Sequence, residues 1–290
     1  MARGGADCPR GIPAWTAVIL AGRRPGPDRF AAMHGLPTKV LIPVAGEPML
    51  GRVARTLLDC PSVGRVVVLA QRPESLLTGP LGWMAREPQI CAAVAGDGIS
   101  ASIMAVAGSD PAPFPLLVTT ADHVLLSPEM VEAFISGAGD ADAAFGVVRR
   151  DAVERSYPDT RRTWLKFADG QYSGANLFAF RNSDSMRAAA FWSKVEKHRK
   201  RAVTLLAFFG PTLFLRILTR AIGLAGAAGI AGRRLDLRLR AVVLEHPEAA
   251  IDVDKPEDLR LAERILSRRQ HAPACPEAAA AAPEAANGAF

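Results

Sequence analysis

The sequence predicts an open, mostly parallel α/β sheet with helices packed against it. Short, continuous apolar runs of strand length alternate with segments of helical periodicity, which argues for successive strand–helix units. The runs are apolar along their whole length, the pattern of strands buried inside a sheet. Each is followed by a loop rich in glycine, proline or charge, and open α/β sheets bind their ligands beyond the carboxyl ends of the strands.

Taken in order, "TAVILAG" (16–22), "RVVVLAQ" (65–71), "ICAAVAG" (90–96) and "PLLVTTA" (115–121) are the buried-strand candidates. "EPMLGRVARTLLDC" places Leu50, Val53, Ala54 and Leu57 at helical spacing. Ser127-Pro128-Glu129 supplies an N-cap, a proline at the first helical position and an early acid, so a helix starts there. Between 141 and 181, "AAFGVVRR", "TWLKFA" and "YSGANLFAF" read as strands joined by turns, so the sheet gains an antiparallel part. Residues 191–240 are apolar, basic at both margins and interrupted by Gly210-Pro211, Arg216 and Arg220. Their longest uncharged stretch, Ala202 to Leu215, is too short for a bilayer, which needs about 20 residues. Helices packed on the domain are expected there; the rival reading is peripheral membrane contact through 200–232 or contact with a lipid-like substrate. The resulting division is a loose leader over 1–15, one domain over 16–269 with a helical insert at about 183–240, and a disordered Ala/Pro-rich tail over 270–290.

The bulk composition narrows the partners. Of 290 residues, 49% are hydrophobic, enough for a substantial core, and the net charge of +6 suits an anionic ligand or an acidic surface. Aromatics are only 6%, and no basic stripe is interleaved with stacking rings, so a nucleic-acid partner is not expected. Cys8, Cys60, Cys91 and Cys275 form no C-x-x-C pair, and the N-terminus shows no apolar signal segment. Free thiols in a reducing cytoplasm are the simplest account, with membrane association the variant that the apolar segment would add.

Four stretches carry chemistry. The first is the long loop in "AVILAGRRPGPDRFAAMHGLPTKVLIPVAG" (17–46), where a strand-to-helix connection of about two to six residues would be ordinary. Its glycines Gly22 and Gly26 allow close backbone approach, Arg23, Arg24 and Arg29 offer planar donors suited to phosphates, and Lys39 offers a compact charge. A solvated basic loop is the bland alternative, and the P-loop and dinucleotide-binding glycine patterns are both absent. The second is "TTADH" (119–123), where Asp122 ends a strand and is placed to hold Mg²⁺, while His123 reads as a local hydrogen-bonding partner. The third is "AIDVDKPEDL" (250–259), where Asp252 and Asp254 would face one side of a strand. The fourth is "GDGISAS" (96–102), glycines leading from a strand into a helix.

Taken together in this order, L-A-G, a basic loop with P-x-K-x-L-x-P-V-x-G-x-P-M, then T-x-A-D-H, then D-x-D-K-P-E-D-L resembles the nucleotidyltransferases. The likeness is greatest to the branch typified by molybdenum-cofactor guanylyltransferase and the sugar- or polyol-phosphate cytidylyltransferases, over roughly residues 16–182 and 240–268. That resemblance implies a three-layer, Rossmann-like open mixed sheet of the nucleotide-diphospho-sugar transferase type. It implies Mg²⁺ on Asp122 with Asp254 or Asp252, and phosphate-binding, catalytic roles for Lys39, Arg29 and Arg23. It places Leu20, Ala21, Gly22, Arg24, Gly96, Asp97 and Ser102 at the nucleotide, and Gly174 and Asn176 of "YSGANLFAF" at the acceptor. The implied reaction moves an NMP from CTP or GTP to a phosphorylated small-molecule or lipid head-group acceptor, releasing pyrophosphate. A glycosyltransferase of related fold and a degenerate nucleotide-binding or membrane-associated protein are the alternatives. The chain departs from the family's pattern at Arg23-Arg24-Pro25, where another small residue is usual.

Overall fold

The computed structural model describes residues 14–22, 26–96, 98–197 and 215–271. Its strands are β1 (Trp15–Leu20), β2 (Pro43–Val44), β3 (Glu47–Pro48), β4 (Val63–Ala70), β5 (Ile90–Val94), β6 (Leu116–Thr120), β7 (Ala143–Arg149), β8 (Leu165–Phe167), β9 (Gly170–Phe180) and β10 (Leu239–Leu244). The main sheet runs β10-β7-β9-β6-β1-β4-β5, with β8 paired to β9, and β2 and β3 form a separate two-residue hairpin. β9 is antiparallel to β6, β7 and β8, and all other pairings in this sheet are parallel. The expected mixed, mostly parallel sheet is the one observed.

Strand order places the functional edge. From β1 the chain builds β4 and β5 on one side, then returns to form β6 on the other side of β1. The connections therefore diverge above the carboxyl ends of β1 and β6, leaving the crevice in which such sheets bind ligands. The loop after Leu20 and the turn containing Asp122 both open there.

Both faces of the sheet are buried, because alternate residues of each central strand serve different cores. Ala17, Ile19, Val66, Val68 and Leu117 pack with Leu50, Val53 and Leu57 of helix Met49–Leu58 and with Phe134 of helix Pro128–Ala138. Val18, Val67, Leu69, Leu116 and Val118 turn the other way, toward Ile103 and Val106 of helix Ile99–Val106 and Ala189 of helix Met186–Lys197. The helix at Ser127 starts as its sequence requires, with the Ser127 hydroxyl accepting from the Met130 amide at 3.4 Å.

A third, smaller core lies under the functional edge. Phe30, Ile42 and Val44 of the opening loop meet Val124 and Leu125 after β6, Ile251 and Val253, and Ala262, Ile265 and Leu266 of helix Pro256–His271. Full burial of one such side chain contributes about 1.5–3 kcal/mol, so this cluster can hold the lysine-bearing opening loop against two segments that carry acids.

β9 departs from regular pairing where it passes the crevice. Phe145 of β7 pairs with Phe178, but Val147 pairs with Gly174, so Ala175, Asn176 and Leu177 bulge opposite Gly146 alone. Asn176 takes a left-handed φ of 46°, a region asparagine tolerates better than most residues. A Cβ on Gly146 would lie 3.3 Å from the Cβ atoms of both Ala175 and Leu177, so the bulge needs glycine at this position.

Several expectations are revised. Asp252 and Asp254 lie on an irregular stretch rather than a strand, following a 3₁₀ turn over Pro247–Ala250. The stretch assigned to the helical insert ends in strand: Leu239 opens β10, where Arg240 and the preceding Arg238 mask the strand character. Within that stretch, helix Leu224–Leu235 buries Leu224, Ala227, Ala228 and Ala231, so this part packs on the fold. Residues 200–214 of the apolar segment, the leader before Ala14 and the tail beyond His271 lie outside the described residues. No described helix is long and apolar enough to cross a membrane.

Gly146→Val is expected to destabilise the fold by about 1–3 kcal/mol through overpacking against the bulge. A urea-unfolding midpoint equal to that of the unsubstituted protein would contradict this account of β9.

Candidate active site

The opening loop leaves β1 through Ala21, whose amide donates to Leu69 of β4 at 2.9 Å. At Gly22 the backbone passes close to Gln71, with a Cβ there lying only 3.1 Å from Nε2. Asp28 then organises the loop. One carboxylate oxygen accepts from the Ala31 amide at 3.0 Å, capping helix Arg29–Met33, and the other accepts from the Lys39 amide at 2.9 Å. A single side chain thus closes the loop between its start and Lys39. Arg29 is exposed at the first position of that helix, and Arg23 and Arg24 lie outside the described residues.

Lys39 opens a 3₁₀ turn whose apolar residues, Val40 and the following Ile42, are buried. Its ammonium sits between two carboxylates, 2.5 Å from Asp122 Oδ2 and 2.5 Å from Asp254 Oδ1. Asp122 is 14% exposed and Asp254 64%, so the first lies inside the crevice and the second on its rim. Burial works against the charged ammonium, but attraction to the two carboxylates and their hydrogen bonds outweighs it, and the Lys39 pKa lies above the ordinary lysine value. The acids are brought together by backbone as well: the Val253 amide donates to the Asp122 carbonyl at 3.1 Å, stitching the Asp252–Asp254 stretch to the turn after β6.

Asp252 plays a different part from Asp254. Its Oδ1 is enclosed and has no hydrogen-bond partner among the described residues, while the Asn176 amide on the β9 bulge bonds its carboxylate. Burial and then the neighbouring Asp122 push its pKa up to about 7, with Arg162 opposing the rise. Arg162 is itself tied down, reaching Asp258 Oδ1 at 3.1 Å in a largely buried pair and the Asp252 carbonyl at 3.5 Å. Asp258 completes the chain by accepting from the Asp254 amide at 3.3 Å. His123 is buried, with Nδ1 3.3 Å from Thr119 Oγ1, and burial lowers its pKa to about 4. A local partner is what the sequence suggested for it.

Other expected residues are placed without being brought to the acids. The Ser102 hydroxyl points inward and donates to the carbonyls of Gly96 at 3.2 Å and Gly98 at 2.7 Å, so it shapes the turn after β5. Asp97 lies outside the described residues. Leu20 ends β1 and Ala21 follows it, both against the core, and Gly174 is exposed with open space above it. Sequence reasoning passed over Asp28, Arg162 and Asp258. Asp28 carries a readable signal, an acid immediately before a short helical run, whereas nothing local marks Arg162 in "DTRRTW".

The donor set suits a hard cation. It consists of carboxylate oxygens, one of which, Asp122 Oδ1, is enclosed and without a hydrogen-bond partner among the described residues, and Lys39 already supplies positive charge between two of them. Among the described residues no group of three or more His, Cys, Asp or Glu side chains is arranged to hold a metal. Two carboxylates completed by substrate phosphates are what Mg²⁺ commonly accepts.

Comparison with known proteins bears on the family and the fold. The family model for the MobA-like NTP transferase domain matches residues 17–190, which include Lys39, Asp122 and Asn176 and stop short of Asp252 and Asp254. Among solved structures, a hypothetical transferase from Thermus thermophilus is similar at 27% identity and a TM-score of 0.71, covering 85% of this chain and 99% of that one. A 4-diphosphocytidyl-2C-methyl-D-erythritol synthase from Anaerococcus prevotii shares the fold at 12% identity and a TM-score of 0.52, over 88% of this chain and 99% of that one. A CMP:2-keto-3-deoxy-manno-octonic acid synthetase complexed with CTP does so at 16% and 0.50, over 88% and 100%. No curated protein matches the chain.

Asp252 and His123 titrate in opposing senses. Asp252 is held protonated by the fold, so stability is lost as pH rises from about 4, the unfolded value, through about 7. His123 is held neutral, so stability is lost as pH falls from about 6.5, the unfolded value, through about 4. Asp252→Asn removes the first slope and leaves the second. In metal-free protein it is expected to raise Tm by several degrees near pH ~8, with the gain vanishing below pH ~4. Urea unfolding across a pH series reads this, and a profile parallel to that of the unsubstituted protein would contradict it.

Proposed function

We propose, for a chain that belongs to the MobA-like NTP transferase family and is a nucleotidyltransferase, that it moves an NMP from CTP or GTP to a phosphorylated acceptor and releases pyrophosphate. The observation that carries this reading is Lys39 held between Asp122 and Asp254 at the crevice where β1 and β6 part. A cation and two acids at that place suit a polyanionic substrate that arrives with its own counter-charge. Gly96 and Gly98, between β5 and helix Ile99–Val106, support a nucleotide base lying along the edge, since at Gly96 the backbone runs close to the first turn of that helix.

The acceptor oxygen attacks the α-phosphorus in line. A new O–P bond forms as the bond to the β-phosphate oxygen breaks, and pyrophosphate carries away the electron pair. A phosphate acceptor needs no general base, because its second ionisation lies near pH ~6. Lys39, on a flexible stem, would exchange its carboxylates for phosphate oxygens, and Arg29 at the loop's first helical position would add a second cation. A divalent cation held by Asp122 and Asp254 would spread the charge of the phosphates. Asn176 keeps Asp252 drawn back beside that pair, and exposed Gly174 leaves room for the acceptor on the β9 side. We take residues 16–269 as the catalytic unit, since the sheet, the third core and the last helix together build the crevice.

Pyrophosphate release, measured with each NTP separately against a panel of phosphorylated acceptors, tests the reading. CTP or GTP should support turnover with one acceptor class. Chelation of divalent ions should abolish release, and added Mg²⁺ should restore it. Lys39→Ala and Asp122→Ala are each expected to lower kcat/KM on the order of 10²–10³-fold without unfolding the protein. Full turnover in either variant, or no binding of any nucleotide, would overturn the assignment.

A further inference from the structure

A cavity of about 720 Å³ opens between the loop after helix Arg150–Ser156 and helix Pro256–His271. Arg161 lines one wall, Lys255 the rim nearest Asp254, and Arg264 and Arg268 the helix side. Asp258, 6% exposed, is also in the lining. None of the four cations has a hydrogen-bond or ion-pair partner among the described residues. Arg264 and Arg268 are four residues apart on one helix, an arrangement that repels and costs a few tenths of a kcal/mol. Of the acids in the same lining, Asp258 is neutralised by Arg162, which leaves Asp159 and Glu257 against four positive charges.

The cavity is joined to the carboxylate cluster by covalent and hydrogen-bonded links. Lys255 follows Asp254 directly, and Asp258 accepts from the Asp254 amide at 3.3 Å while gripping Arg162, which in turn reaches the Asp252 carbonyl. The loop expected to take the triphosphate leaves β1, whereas this cavity is walled by the last helix. Its volume falls in the range of small-molecule sites, and its charged walls suit an oxyanion far better than an acyl chain.

Resting on the transferase reading above, we propose that this cavity is the subsite that anchors a phosphate-type oxyanion of the acceptor, distant from the oxygen that attacks. The acceptor is then a compact molecule with at least two anionic groups: one reacts beside Lys39 and Asp254, and the other is held by Arg161, Arg264 and Arg268. Guanidinium pairs bind such groups through charge-assisted, two-point hydrogen bonds.

The test uses the full chain, ¹⁵N-labelled, titrated with inorganic phosphate and separately with glycerol 3-phosphate, with CTP and GTP binding measured in parallel by calorimetry. The amides of Tyr157, Arg161, Lys255, Arg264 and Arg268 are expected to shift with both probes. The double variant Arg264→Glu/Arg268→Glu should weaken both by roughly tenfold or more while its nucleotide affinity stays within about twofold of the unsubstituted protein. Shifts confined to the surroundings of Gly22, Lys39 and Asp122, or undiminished probe binding by the variant, would overturn the subsite. The two readings fail separately. Absence of nucleotide binding in the unsubstituted protein overturns the transferase reading, and absence of shifts at the cavity overturns the oxyanion subsite.

Discussion

The functional edge of this protein depends on one ammonium between two carboxylates. Asp122 and Asp254 come from segments far apart in the chain, and Asp252 is packed beside them. Like charges about 4 Å apart repel by roughly 4 kcal/mol at the effective dielectric of a protein surface, so three acids cannot gather there without a cation or a proton. Lys39 supplies the cation and Asp252, with its pKa near 7, takes up the proton. The cluster is thus poised to accept a stronger positive charge and the phosphates that accompany it.

Apolar packing is what makes that gathering tolerable. Ile251 and Val253 flank Asp252, Val124 and Leu125 follow Asp122, and Ile42 follows Lys39, all in a single buried cluster beneath the last helix. Every charged side chain of the centre is therefore a neighbour of a residue that is fixed by burial. Asp28 adds a polar constraint at the same place, since its two oxygens hold both the start of the short helix and the amide of Lys39. The long opening loop is consequently a closed structure across its described part, stapled at Asp28 and anchored at Phe30 and Ile42.

The bulge in β9 links the sheet to this centre. Crowding three residues opposite Gly146 turns the Asn176 amide toward Asp252, and Arg162 and Asp258 brace the same carboxylate stretch from outside. The side of the crevice next to β9 is thereby tied together by hydrogen bonds, and the rim at Asp254 and Lys255 is open. Chemistry at the crevice and recognition beyond the rim can then be carried by different surfaces.

The sequence by itself determined the strand–helix alternation, the buried central strands, the helix start at Ser127 and the residue types at the crevice. These are local properties: apolar periodicity, capping chemistry and a lysine-bearing loop are written in neighbouring residues. It also conveyed that Lys39, Asp122 and Asp254 belong to one site, through the order of motifs that the nucleotidyltransferases share. Tertiary structure alone decided the rest. That Lys39 bridges the two acids, that Asp252 is drawn toward Asn176, and that Arg162 pairs with Asp258 are contacts between residues far apart in the chain, set by strand order and packing. The strand character of Leu239–Leu244 was hidden for the same reason: it is an edge strand entered through Arg238 and carrying Arg240, and only pairing with β7 shows which face these leave to solvent.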